Sequence, residues 1–245
     1  MNVLVAVEAS DASSPHHLEF AGQLARAYGG GVTTFDAAPQ PHLAQAVLEA
    51  ADRQGCDLIV IGTEGLDPFI SRFLDSPAHE VLEARRLPVL VVHPGQAGLR
   101  KRGRRTVLAA MADAAYSARV LQHALHLAKA LGAEVKVVHV GSREEDPVAT
   151  LLHPADPHPS QVMVAQAAGE LGRQGVRVEG LVVPNYAGLA AELAQTADRV
   201  DADVIVIGSS GKLDLGQWLM GSIAEAVLHL SRRPVLVVPR GVAEK

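Results

Sequence analysis

Short, nearly continuous apolar runs alternate along the chain with longer stretches whose apolar residues fall every third or fourth position. The runs are Val3–Val7, Val32–Phe35, Leu58–Ile61, Val89–Val92, Thr106–Met111, Glu134–Val140, Val176–Val183, Val204–Ile207 and Val235–Val238. Their length and Val/Ile/Leu content predict strands buried on both faces. The intervening spacing predicts helices over Pro15–Tyr28, Leu43–Arg53, Ala78–Ala84, Ser117–Leu131, Gln161–Gln174, Leu189–Val200 and Ser222–Leu230, with Gly132 and Gly175 closing two of them. Residues 141–159, with Pro147, Pro154, Pro157 and Pro159, read as loop. Strands separated by helices of this length require crossovers, hence a parallel sheet covered on both sides.

The plan occurs twice. Asp57-Leu-Ile-Val-Ile-Gly62 returns as Asp203-Val-Ile-Val-Ile-Gly208, and Pro88-Val-Leu-Val-Val92 as Pro234-Val-Leu-Val-Val238, both 146 residues later. The openings Val3-Leu4 and Val107-Leu108 stand only 104 apart, so the first copy is 42 residues shorter between its opening and its glycine turn. One strand and one helix fit in that difference. The expected fold is therefore α/β: two open, doubly wound parallel-sheet domains in tandem. They cover 1–95 and 105–240, the first lacking about one strand–helix unit.

Composition narrows the picture modestly. Of 245 residues 48% are hydrophobic and 3% aromatic, so aliphatic side chains must fill the core. A formal net charge of −5 gives no general attraction to nucleic acid. The basic linker Gly95–Arg105, with Arg100, Lys101, Arg102, Arg104 and Arg105, reads as a solvated tether rather than an RNA or DNA contact. The single cysteine, Cys56, precludes an intramolecular disulfide and suits a reducing compartment. The opening MNVLVAVEAS is not patterned as a secretory signal, and no apolar run approaches the ~20 residues that span a bilayer. A cytoplasmic protein without membrane contact is expected.

The most informative segment is 203–239. A strand ends in Gly208-Ser209-Ser210-Gly211, and nine residues later Gly221-Ser222 opens a helix. Ligands of open α/β sheets bind beyond the carboxyl ends of strands. Glycines there permit positive φ and close approach to the backbone. The first N–H groups of a helix lack internal partners and favour an anion. Amides around 208–211 and 221–223 are thus expected to converge on a phosphate, with the Ser222 hydroxyl capping or assisting and Lys212 at the rim. This is neither G-x-G-x-x-G nor a Walker P-loop.

These residues resemble the universal stress protein family in its tandem form. The pattern G-x-x-G, nine residues, G-[ST] is met at Gly208, Gly211, Gly221 and Ser222. VIVIGSSG, GSIAEAVLHLSRRPVLVV and the opening NVLVAVEASDAS are similar to the same family. The resemblance implies a five-stranded parallel sheet, ATP with or without Mg²⁺ in the second copy, and pairing of the domains through the strands at 89–92 and 235–238. Covering two apolar edges gives that pairing a physical reason. The implied nucleotide-binding residues are Ala110, Met111, Ala112, Val140, Ile207, Gly208, Ser210, Gly211, Gly221, Ser222, Ile223 and Ala224. Two departures matter. The acid expected after the first strand of the second copy is Ala112, with Asp113 one position late. In the first copy the acid is Glu8, but Asp75-Ser76-Pro77 replaces the second glycine pair and Glu64 adds charge, so that copy is expected not to hold ATP.

Other chemistry has less support. The eleven histidines include no H-E-x-x-H and no paired Cys/His spacing, so no metal site is expected. His16, His17, His153 and His158 read as surface residues, Cys56 as apolar filler and Trp218 as packing. There is no G-x-S-x-G elbow. The expectation is an adenine-nucleotide-binding stress-response regulator with at most slow ATP hydrolysis, free to form homo-oligomers. The alternatives are an interaction module of the same fold that binds no nucleotide, and an enzyme acting at the α-phosphate of ATP.

Overall fold

A computed structural model describes residues 1–7, 14–27, 29–38, 41–62, 77–84, 86–92, 103–112, 114–141, 158–209 and 221–239. In its first half β1 (Val3–Val7), α1 (Ser14–Ala27), β2 (Val32–Asp36), α2 (Leu43–Arg53), β3 (Leu58–Gly62), α3 (Pro77–Glu83) and β4 (Val89–Val92) follow one another. The second half contains β5 (Thr106–Ala110), α4 (Ala114–Leu131), β6 (Glu134–Gly141), α5 (Pro159–Gly172) and β7 (Val178–Pro184). It ends with α6 (Leu189–Arg199), β8 (Val204–Gly208), α7 (Ser222–Leu230) and β9 (Val235–Val238). The expected elements are present with shifted ends. Helix α5 starts earlier than its apolar spacing suggests because Pro159 is not a breaker there. It occupies the first helical turn, where its missing N–H costs nothing, and the His158 side chain accepts from Ser160 N at 3.4 Å.

The nine strands among the described residues form one sheet in the order β2-β1-β3-β4-β9-β8-β5-β6-β7. Every neighbouring pair is parallel except β4 and β9, which run antiparallel with Val89 opposite Val237 and Val91 opposite Val235. The halves superimpose in logic: β2, β1, β3 and β4 correspond to β6, β5, β8 and β9, while β7 and α5 have no counterpart. That absent pair, together with the chain that joins it to its neighbours, accounts for the 42-residue deficit.

The strand left at the edge is adapted to its exposure. Val32, Thr34 and Asp36 of β2 are exposed, whereas Val135 and Val137, at the equivalent registers of β6, are fully buried. Polar residues on an edge strand discourage further pairing. Where α5 is present it packs tightly: a Cβ at Gly180 of β7 would come within 2.5 Å of Val164 Cγ1.

Two apolar layers sandwich the sheet. One contains Leu4, Ile59, Val91, Leu108, Ile205 and Val235 beneath α2, α3, α6 and α7. The other contains Val5, Val60, Leu90, Val107, Val206 and Leu236 beneath α1, α4 and α5. Both layers run unbroken across the β4–β9 junction.

The same aspartate clamp opens each half. Asp203 N donates to Thr106 O at 2.8 Å while Asp203 Oδ2 accepts from Thr106 N at 2.8 Å. Asp57 and Asn2 make the identical exchange at 2.8 Å for both bonds. Asp203 is buried and Asp57 exposed, so Asp203→Ala strands a buried amide and is expected to cost about 1.5–3 kcal/mol, against about 1 kcal/mol or less for Asp57→Ala, as read by denaturant unfolding.

Burial holds the His123 imidazole of α4 below its ordinary pKa, with Arg119 and His126 acting in the same direction. Burial likewise lowers His229 of α7, partly offset by Glu225. The unfolded chain therefore takes up more protons than the folded one below the ordinary value of 6.5. Stability should be complete above that pH and fall as the solution is acidified through it. His123→Gln should flatten part of the decline in unfolding midpoints measured between pH 8 and pH 5.

Candidate functional site

From β5 the chain builds outward in both directions, through β6 and β7 on one side and β8 and β9 on the other. Helix α4 covers one face of the sheet there, and α6 and α7 the other. Such a reversal leaves a crevice beyond the carboxyl ends of the two central strands. A cavity of about 350 Å³ opens at this place. Its walls are Ala110, Met111 and Ala112 at the end of β5, Val138, His139 and Val140 of β6, Ile207 and Gly208 of β8, and Gly221, Ser222, Ile223 and Ala224 where α7 starts. Ser117 and Val120 of α4, with Leu189 and Leu193 of α6, complete it.

Ten of the twelve sequence-derived site residues line this cavity. Ser210 and Gly211 lie outside the described residues, as do Lys212, Trp218, Asp113 and, in the first copy, Glu8, Glu64, Asp75 and Ser76. The sequence reading did not single out Ser117, Val120, Val138, His139, Leu189 and Leu193. Val138 and His139 adjoin Val140 on one strand. The helical pairs Ser117/Val120 and Leu189/Leu193, at i, i+3 and i, i+4, show only that one helix face turns inward.

The helix start is built as follows. Gly221 is the N-cap, with φ −61° and ψ 132°, and the first bond within the helix runs from Glu225 N to Gly221 O at 3.1 Å. The N–H groups of Ser222, Ile223 and Ala224 therefore have no acceptor within the helix, and the helix dipole adds positive potential beside them. Two expected donors are already engaged: Gly221 N donates to Ser209 O at 2.9 Å, and Ser209 N to Val238 O at 2.9 Å. The amides without an acceptor inside the helix are therefore those of residues 222–224, one position further in than expected. The N-cap residue is Gly221, which has no side chain to cap with, and Ser222 stands at the first helical position. The Ser209 hydroxyl is buried without a partner among the described residues, a further polar group next to the turn that fixes α7.

Gly208 and Gly221 do not adopt positive φ, contrary to one reason expected for glycine there. Among the described residues a Cβ at 208 would meet only Val120 Cγ2, at an ordinary 3.5 Å. What a side chain would occupy is cavity space.

On the β5 side the polar groups satisfy one another. Ala112 N donates to Ser117 Oγ at 3.0 Å, and Met111 N to Val138 O at 2.8 Å. His139 Nδ1 lies 2.9 Å from Met111 O. A carbonyl only accepts, so Nδ1 carries the hydrogen. Ser117 is almost fully buried. Having accepted from Ala112, it retains its own O–H to donate. Among the described residues no three His, Cys, Asp or Glu side chains are grouped to hold a metal ion, and no helix is long and apolar enough to cross a membrane.

Comparison with known proteins agrees with this architecture. The profile of the Universal stress protein family matches residues 40–93 and 103–239. Universal stress protein MJ0577 of Methanocaldococcus jannaschii is 37% identical over 71 residues, 29% of this chain and 43% of that protein. The chain thus spans less than half of that relative. Universal stress protein YxiE of Bacillus subtilis is 28% identical over 145 residues, 54% of this chain and 97% of that one. Among solved structures, a universal stress protein from Archaeoglobus fulgidus aligns with TM-score 0.63 at 20% identity, over 99% of this chain and 86% of its own. At that identity the likeness is one of fold.

Because neither φ nor packing against the described residues requires glycine at 208, Gly208→Ala should leave the ligand-free protein as stable as before or raise its stability by up to about 1 kcal/mol, measured by chemical denaturation.

Proposed function

The chain belongs to the universal stress protein family, and we propose that its C-terminal half, residues 105–240, binds an adenine nucleotide, ATP in the first instance, as a regulatory ligand. The observation that carries this reading is the cavity at the β5/β8 reversal, one wall of which is the start of α7, whose first amides have no acceptor within the helix. Its size lies within the range of small-molecule sites, near the lower end. The phosphates would accept from Ser222, Ile223 and Ala224 N–H and from the Ser222 hydroxyl. The base and sugar would lie along Met111, Val138, Val140, Leu189 and Leu193. The Gly208, Gly211, Gly221, Ser222 pattern, similar to the family's ATP-binding motif, supports the same assignment.

In this reading the N-terminal unit, residues 1–95, is a truncated copy that serves as a structural partner through β4 and β9. Nucleotide occupancy signals stress to another protein in the cytoplasm. The proposed role is binding rather than rapid hydrolysis. Ala112 favours a second reading, an interaction module of the same fold that binds no nucleotide. It lines the cavity where the resemblance implies an acid.

Calorimetric titration with ATP, with and without Mg²⁺, separates the two. The nucleotide reading predicts saturable binding by the wild type. Gly221→Asp places a carboxylate at the N-cap and should lower affinity at least about tenfold, or about 1.4 kcal/mol. Unchanged affinity in a folded variant, or no heat from the wild type at millimolar ATP, would contradict it.

A further inference from the structure

The start of α7 is held from β9. Gly221 N donates to Ser209 O at 2.9 Å, and Ser209 N to Val238 O at 2.9 Å. Pro234 O likewise accepts from Ile205 N at 2.9 Å. The carbonyls of Pro234 and Val238 thus face β8. Successive peptide groups of a strand point to opposite neighbours, so those of Val235 and Val237 face β4. There they lie opposite Val91 and Val89 of the N-terminal half. The carbonyl that fixes Ser209 is therefore the immediate neighbour of a residue that ties the two halves together. Packing repeats the connection. Val89 of β4, Val237 of β9 and Ala224, Val227 and Leu228 of α7 belong to one continuous apolar layer. Ala224 also lines the cavity. Its side chain rests in that layer, while its N–H is one of the three without an acceptor inside the helix. Close-packed interiors transmit strain. Loosening β9 from β4 relaxes both the hydrogen-bonded and the packed support of these amides.

Resting on the nucleotide reading above, we infer that the N-terminal half regulates the nucleotide site through β4. The firmness of the β4–β9 pairing sets how well the first amides of α7 are held, and so the affinity, while occupancy of the site tightens that pairing in return. The physical basis is preorganisation. Amides already held in place lose little freedom when a ligand arrives, whereas amides that the ligand itself must order bind it more weakly. Coupling of this kind is reciprocal: whatever factor the junction exerts on the affinity, the ligand exerts on the junction.

The test uses the full chain and two variants that carry the same change in the same half. Val89→Ala trims β4 at the junction, at a side chain that is 2% exposed and no part of the cavity wall. Val5→Ala trims β1, at a fully buried side chain that β3 separates from β4. In calorimetric titrations Val89→Ala should bind ATP at least about fivefold more weakly than the wild type, and Val5→Ala within about twofold of it. Amide hydrogen exchange supplies a readout that needs no ligand. In the free protein Val89→Ala should speed exchange at Ser209 and Gly221 at least about fivefold, and Val5→Ala should not. Saturating ATP should slow exchange at Val89 and Val237 of the wild type. A folded Val89→Ala with unchanged affinity and exchange would overturn the inference and leave the nucleotide reading standing. Equal effects of the two variants would overturn it as well, since they mark a general loss of stability. If the wild type binds no ATP the nucleotide reading falls; faster Ser209 and Gly221 exchange in Val89→Ala alone would then still support control of the helix start from the junction, and unchanged exchange would overturn that too.

Discussion

Parallel pairing is the constraint from which the rest follows. Each parallel strand must be reached by a crossover, and each crossover lays a helix on one face of the sheet. The chain starts each half at an interior strand, β1 or β5, and builds away from it on both sides. At β5 this sends α4 to one face and α6 and α7 to the other. Among the described residues no helix lies across the carboxyl ends of β5 and β8. The gap holds a cavity lined by strand ends on the floor and by helix starts on the walls. Its chemistry, aliphatic below and amide-rich at α7, comes from topology as much as from any single side chain.

The junction between the halves reaches into this site. β9 lies between β4 and β8, and Val238 at its end accepts from Ser209 N. Ser209 O in turn accepts from Gly221 N, which fixes where α7 begins. Hydrogen bonds thus run without a break from the antiparallel β4–β9 pair to the helix start facing the cavity. The apolar layers crossing the same junction hold β9 on both faces. The first half, which has no counterpart of β7 and α5 among the described residues, supplies β4 and its share of both layers. Its own edge, β2, carries exposed Thr34 at the register where β6 has buried Val137.

Much of the fold was legible in the sequence because it is written in short-range signals. The Val/Ile/Leu runs gave the strands, the repeated Asp-x-Ile-Val-Ile-Gly and Pro-Val-Leu-Val-Val segments gave the correspondence of β3 with β8 and β4 with β9, and the 42-residue deficit gave the missing unit. Of the site, the residues on strand ends and at the start of α7 were found through the glycine pattern. Ser117, His139, Leu189 and Leu193 were not, since which helix face meets a strand end depends on packing between distant elements. The use of Gly221 N by Ser209 O was equally hidden, being a contact between two turns rather than a property of either. Pro159 was misread for a local reason: a proline that ends a loop and one that begins a helix look alike without the N-cap geometry of His158.

The most direct test of the central claim is the set of backbone amide NMR resonances of the full chain during titration with ATP. The account predicts that the largest shifts on saturation fall on Ser222, Ile223 and Ala224, with smaller ones along Met111, Ala112 and Val140. Saturation that leaves those three helix amides in place, or that moves chiefly residues of the N-terminal half, would contradict it.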